Sequence, residues 1–164
     1  MVYQKGEKVV YPGHGVAIVH DIQVKLINGQ KEEFYELKFV GKDITVLVPT
    51  GQSEAVGLRR LSSNDSVACV YELLSKPYVA VQQDGVMVNW NKRNKKYMGS
   101  IRTGDLKEVG AIYHYLRHSE KKKELSFGEK KVLEETEKML AEEIAIVENM
   151  AQEVAIARVR SLIR

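Results

Sequence analysis

Lys8-Val9-Val10-Tyr11-Pro12-Gly13-His14-Gly15-Val16-Ala17-Ile18-Val19 runs β-branched and aromatic residues up to a Pro-Gly break and resumes them beyond it. Such a pattern, broken by turn residues and then restarted, predicts two strands folded back on each other. The same grammar continues through Gly15–Ile22, Phe34–Phe39 and Ile44–Pro49, with turn chemistry at Asn28-Gly29-Gln30, Gly41-Lys42-Asp43 and Pro49-Thr50-Gly51. Asn-Gly between two strand-like runs suits a tight hairpin, because both residues tolerate a positive φ. Four or five short strands in about sixty residues predict a small, strongly bent antiparallel β-barrel of the SH3 or Tudor kind.

From Ser62 onward the period becomes helical. Val67, Val70, Tyr71 and Leu74 fall at i, i+3, i+4 and i+7 behind the capping candidates Ser62, Ser63 and Asn64, predicting an amphipathic helix that ends before Pro77. Residues 76–88, with Pro77 and Gly85, read as a loop. Trp90 to about Arg102 reads as a short basic helix, and Thr103-Gly104-Asp105 opens another with Leu106, Val109, Tyr113 and Leu116 in one stripe. Ser126-Phe127-Gly128-Glu129 has the spacing of a capping box and opens a longer helix through Leu133, Leu140, Ile144 and Val147. A last helix is expected from about Asn149, with Val154, Ala157 and Leu162 inward. The predicted fold class is α+β: a barrel over residues 1–61 followed by an all-α helical domain over 62–164.

The 164 residues are 44% apolar, enough for a core in one domain or two small ones. There is no apolar run of membrane-spanning length and no secretory start, so a soluble, cytoplasmic protein is expected. The single cysteine, Cys69, excludes an intrachain disulfide and reads, between Ala68 and Val70, as a small buried hydrophobe in a reducing compartment. A net charge of +3 says little, but its distribution is uneven. From Met87 to Lys131 twelve Lys and Arg stand against five Asp and Glu; Glu134, Glu135, Glu137, Glu142, Glu143, Glu148 and Glu153 then face Lys138 alone. A polyanion would be drawn to the first block and repelled by the second.

Inside the basic block lies the only tryptophan, in Asn89-Trp90-Asn91-Lys92-Arg93-Asn94-Lys95-Lys96-Tyr97. Two readings stand. Trp90 either packs on a helix bundle with cations on its wet side, or serves as a flat apolar wedge whose neighbours neutralise phosphates. Other chemistry is thin. His114 and His118 have the i, i+4 spacing of a metal pair, yet no third ligand or His-Glu-x-x-His pattern accompanies them, so they read as solvated histidines. His14 suits a turn-orienting hydrogen bond, and Gly13 and Gly15 precede a strand rather than the helix a phosphate loop needs. No catalytic set, metal or cofactor is expected.

The order of these pieces resembles a known family. Lys8-Val9-Val10-Tyr11-Pro12-Gly13-His14-Gly15, Leu37-Lys38, Thr45-Val46-Leu47-Val48-Pro49, Asn89-Trp90-Asn91-Lys92-Arg93 and Leu125-Ser126-Phe127-Gly128-Glu129-Lys130 together resemble the CarD/CdnL family of bacterial RNA polymerase-binding transcription regulators. The resemblance covers nearly the whole chain. Its first block also resembles the matching domain of transcription-repair coupling factors, which continue into a helicase that is not in this sequence.

The resemblance implies that the barrel docks on the β subunit of RNA polymerase and that the helical domain meets promoter DNA at the upstream edge of the melted region. It implies a minor-groove wedge at Trp90, and backbone-binding cations at Lys92, Arg93, Lys95, Lys123 and Lys130. Polymerase contacts fall at Lys25 and Leu47, where relatives carry arginines; Lys25 keeps the charge without the bidentate fork, and Leu47 loses both. A monomer is expected. The competing readings are a Tudor-like module joined to a bundle that binds RNA or ribosomal partners, and an enzyme whose site only a pocket of convergent polar groups would reveal.

Overall fold

The computed structural model describes residues 2–78 and 90–163. The chain divides into two compact units, Met1–Leu61 and Ser62–Arg164. Among the described residues the fold is α+β, a five-stranded antiparallel sheet followed by five helices.

The strands are β1 (Lys8–Tyr11), β2 (Gly15–Ile27), β3 (Gln30–Phe39), β4 (Thr45–Pro49) and β5 (Arg59–Arg60), in the order β4-β3-β2-β1-β5. Asn28 at φ 51° and Gly29 at φ 78° supply the two positive dihedrals of a primed turn, so pairing runs down to Ile27 opposite Gln30. Both strands thus extend beyond the expected ends at Ile22 and Phe34. In that extension Val24 faces Glu33, Lys25 faces Glu32 and Leu26 faces Lys31, so the backbone ladder holds without a buried face to mark it in the sequence. A bulge between Val19 and Asp21 bends β2 and curls the sheet around its core. That core is Tyr3, Val9, Ala17, Val19, Tyr35, Leu37, Phe39, Val48 and Leu58. Tyr3 ties it shut: its hydroxyl donates to the Leu58 carbonyl at 2.8 Å and its backbone N–H donates to the Tyr35 hydroxyl at 3.1 Å. The His14 backbone N–H, rather than its ring, makes the turn bond, donating to the Tyr11 carbonyl at 2.9 Å. The His14 ring packs edge-on against Tyr11, with centroids 4.8 Å apart.

The second unit contains α1 (Asn64–Ser75), α2 (Trp90–Thr103), α3 (Leu106–Lys122), α4 (Phe127–Val147) and α5 (Gln152–Leu162). From residue 79 onward the expected loop, like Asn89, lies outside the described residues. Ser63, Asp105 and Ser126 each accept a bond from an N–H in the helix they open, satisfying donors that would otherwise be orphaned. Val67, Val70, Leu74, Val109, Tyr113, Leu116, Leu140 and Ile144 fill the centre, each fully buried aliphatic contributing about 1.5–3 kcal/mol.

Three expectations are corrected. The α5 stripe is one residue out of phase: Ala155 and Val159 are buried while Val154 and Ala157 are exposed. The helix starts at Gln152 rather than Asn149, while Leu162 packs against the core as expected. Cys69 is exposed, because the face of α1 that packs inward is Val67, Val70 and Leu74. His114 is 7% exposed rather than solvated, since Tyr78 covers it edge-on at 5.6 Å. Burial and neighbouring His118 hold the His114 pKa below its ordinary value, against a backbone hydrogen bond at Lys76. His118 instead lies partly open, its ring 4.7 Å from Tyr78.

A buried carboxylate fastens α5 to the bundle. Glu137 of α4 accepts from the Tyr113 hydroxyl at 2.8 Å, from Arg117 Nη2 at 2.7 Å, and from Arg160 Nε at 3.0 Å and Nη2 at 2.6 Å. Among the described residues no helix is long and apolar enough to cross a membrane.

Candidate nucleic-acid interface

The basic block folds so that α2 and α4 begin at the same place. Trp90 is the first residue of α2, and its indole lies on the first turn of α4, where Gly128 has no side chain to stand in the way. A Cβ on Gly128 would come within 2.5 Å of Trp90 Cζ2, so the glycine is what allows the ring to settle there. Tyr97 meets the indole edge-on at 6.4 Å, and the Arg93 guanidinium lies 5.8 Å from the ring centroid. Trp90 packs one side against the helical core and stays partly open to solvent.

The capping box makes this corner rigid. Ser126 Oγ accepts from the Glu129 N–H at 3.2 Å, and the Ser126 N–H donates to Glu129 Oε1 at 3.3 Å. Burial pushes the Tyr97 hydroxyl up to about 12, against the pull of Arg93.

The cations divide by position. Lys92 and Lys95 are exposed on the outer face of α2, away from Tyr97 and Ile101. Arg93 is half-buried, with its Nε unbonded and its guanidinium near the indole, and so acts as a shelf for Trp90 as much as a free cation. Lys123 caps the C-terminus of α3, and Lys130 lies in the first turn of α4. Lys130 Nζ is 3.3 Å from Glu124, an exposed pair worth about 0–1 kcal/mol and readily exchanged for a phosphate. Lys25 and Leu47 belong to the other unit. They share the outer face of its sheet, Lys25 opposite Glu32 and Leu47 opposite Glu36. Among the described residues no group of three or more His, Cys, Asp or Glu side chains is gathered for a metal ion.

The sequence reading misses Phe127. This first residue of α4 is 85% exposed and immediately precedes the glycine on which the indole rests. Its only sequence signal is an aromatic between a Ser cap and a Gly, a position facing outward at the start of a helix. Val24 and Leu26, 60% and 72% exposed, are likewise missed; they carry apolar surface along the β2–β3 hairpin past the end of the core.

A half-buried indole, an exposed phenyl and a rim of lysines at one helix corner form a cationic surface with an apolar centre. Residues 3–62 match the CarD-like/TRCF RID domain and residues 69–160 match the CarD C-terminal domain, so the chain belongs to the CarD family. It is 26% identical over 155 residues to "Putative transcription factor YdeB" of Bacillus subtilis (strain 168), covering 92% of this chain and 95% of that protein.

Proposed function

We propose that this CarD-family transcription regulator holds the promoter open complex open, with its barrel on the β subunit of RNA polymerase and its helical unit on the upstream edge of the melted DNA. The observation that carries the reading is the corner where Trp90 rests on Gly128 beside the exposed ring of Phe127, bordered by Lys92, Lys95 and Lys130. Intact duplex offers such a surface only phosphates. Where base steps unstack, the minor groove also offers an apolar gap that an aromatic edge can fill. Binding energy available in one state alone shifts the equilibrium toward that state, and about 1.4 kcal/mol of it raises the open population roughly tenfold over the closed.

On the polymerase side, β4 ends the strand order and pairs, among the described residues, with β3 alone. An edge strand accepts a partner strand through its backbone, with side chains adding selectivity. The outward Leu47 gives this docking an apolar rather than a charged contact, and Lys25 contributes a charge further along the hairpin.

The test is a titration of the full chain onto DNA with an unpaired bubble, onto intact duplex, and onto single-stranded RNA. Tightest binding to bubble DNA is expected. Tightest binding to RNA would favour the RNA-module reading, for which the same cations would serve. Replacing Lys92, Lys95 or Lys130 singly with Gln is expected to weaken DNA binding to a similar degree whatever the promoter sequence, and to lower the salt slope by about one unit. A loss confined to one sequence with an unchanged slope would point to base readout instead.

A further inference from the structure

Gly99 stands in the interior of α2, exposed, with nothing among the described residues within 4 Å of the place its Cβ would occupy. Glycine inside a helix weakens it relative to alanine, so its presence needs a reason. The other described glycines of the helical unit have one: Gly104 sits at φ 69°, a Cβ on Gly110 would meet Val70 Cγ1 at 3.3 Å, and Gly128 makes room for Trp90. Nothing among the described residues asks the same of Gly99, whose neighbours Tyr97 and Ile101 are the ones that turn inward.

What surrounds Gly99 is charge. At about 100° per residue, Lys92, Lys95, Lys96, Arg102 and Thr103 point from the same side of α2, and all five are exposed. Lys95 and Arg102 are about 10 Å apart along the helix axis. The cationic face therefore has a bare notch at its middle, near the helix start that carries Trp90.

We infer that Gly99 is the point of closest approach for one sugar-phosphate strand of DNA, which lies on the exposed helix backbone while Lys95, Lys96 and Arg102 close over it. A side chain here would hold the strand off the helix backbone, while the long lysine and arginine side chains still reach the phosphates on both sides. The inference rests on the DNA-binding reading and adds to it the track that the strand follows across α2. Glycine thus trades helix stability for proximity, and the two effects can be measured separately.

The experiment compares the full chain with Gly99→Ala and Gly99→Leu, by thermal unfolding and by titration onto bubble DNA at several salt concentrations, with Lys95→Gln as the charge control. Both Gly99 variants are expected to melt at higher temperature and yet bind more weakly, about threefold for Ala and more than tenfold for Leu, at an unchanged salt slope. Lys95→Gln should reduce the slope. If the stabilised variants bind as well as the parent or better, while Lys95→Gln still reduces the slope, close approach at Gly99 is wrong and the DNA reading survives. If the folded parent chain shows no affinity for DNA, the DNA reading fails and the role of Gly99 fails with it.

Discussion

Replacing Trp90 with alanine is expected to return the open-complex lifetime to nearly that of polymerase alone, at a cost of about 1–2 kcal/mol in stability. A fully buried tryptophan would cost about 3–5 kcal/mol. Trp90 is only partly buried, so truncation forfeits its contact with Gly128 and Tyr97 without opening a cavity at the centre of the bundle. Lifetime and thermal unfolding measured on the same variant separate the two roles. A loss of stability at the buried-residue level would assign Trp90 to the core and leave Phe127 as the aromatic that meets DNA. Gly128→Ala extends the test, because it displaces the indole without removing it and should shorten the lifetime as well.

The largest effect on stability is expected at Glu137. Removing its carboxylate, as in Glu137→Ala, takes the acceptor from the Tyr113 hydroxyl, leaves Arg117 with Glu120 as its acidic partner and releases Arg160, at about 3 kcal/mol, the low end of the cost of breaking a buried ion pair on one side. Burial alone would raise the pKa of this carboxyl, but hydrogen bonds from Arg160, Arg117 and Tyr113 outweigh it and hold the value at about 2. In the unfolded chain a glutamate titrates near ~4.3. The contribution of Glu137 is therefore complete above that value and is lost as the pH falls toward 2. Urea unfolding across this range should show the parent losing stability in acid, and the variant, already weakened at neutral pH, losing less. Parallel acid limbs for the two proteins would show that Glu137 does not govern the transition.

What could be read from the sequence was local. The Asn28-Gly29 turn, the helix starts at Ser62-Ser63-Asn64 and Thr103-Gly104-Asp105 and the Ser126–Glu129 capping box are each set by a few adjacent residues; which residue caps, Ser63 and Asp105, the structure decides. What could not be read depends on contacts between distant segments. Nothing near Trp90 indicates that its ring will lie on Gly128, and nothing near His114 indicates that Tyr78 will cover it. In α5, Val154 and Ala157 fit one helical stripe as well as Ala155 and Val159 fit another; packing chose the second. Arg59 and Arg60 carry no strand pattern, yet they pair with Val10 and Val9 because the adjacent edge of β1 is open to them. Of the cations, Arg93 and Lys95 are indistinguishable in sequence, but the helix turns one toward the indole and the other to solvent.

In the proposed function the barrel serves as a tether and the helical corner as the working end. Holding the helical unit near the promoter gives it an effective concentration on the order of millimolar, at which even weak, salt-sensitive DNA affinity becomes substantial occupancy. The two units meet between Leu61 and Ser62, so cutting the chain there removes the tether and leaves both sets of contacts in solution. The direct measurement is the open-complex lifetime with the intact chain, with residues 1–61 and 62–164 mixed at the same molarity, and with 62–164 alone. A longer lifetime is expected from the intact chain only; full extension by residues 62–164 alone would show that the barrel is not the tether.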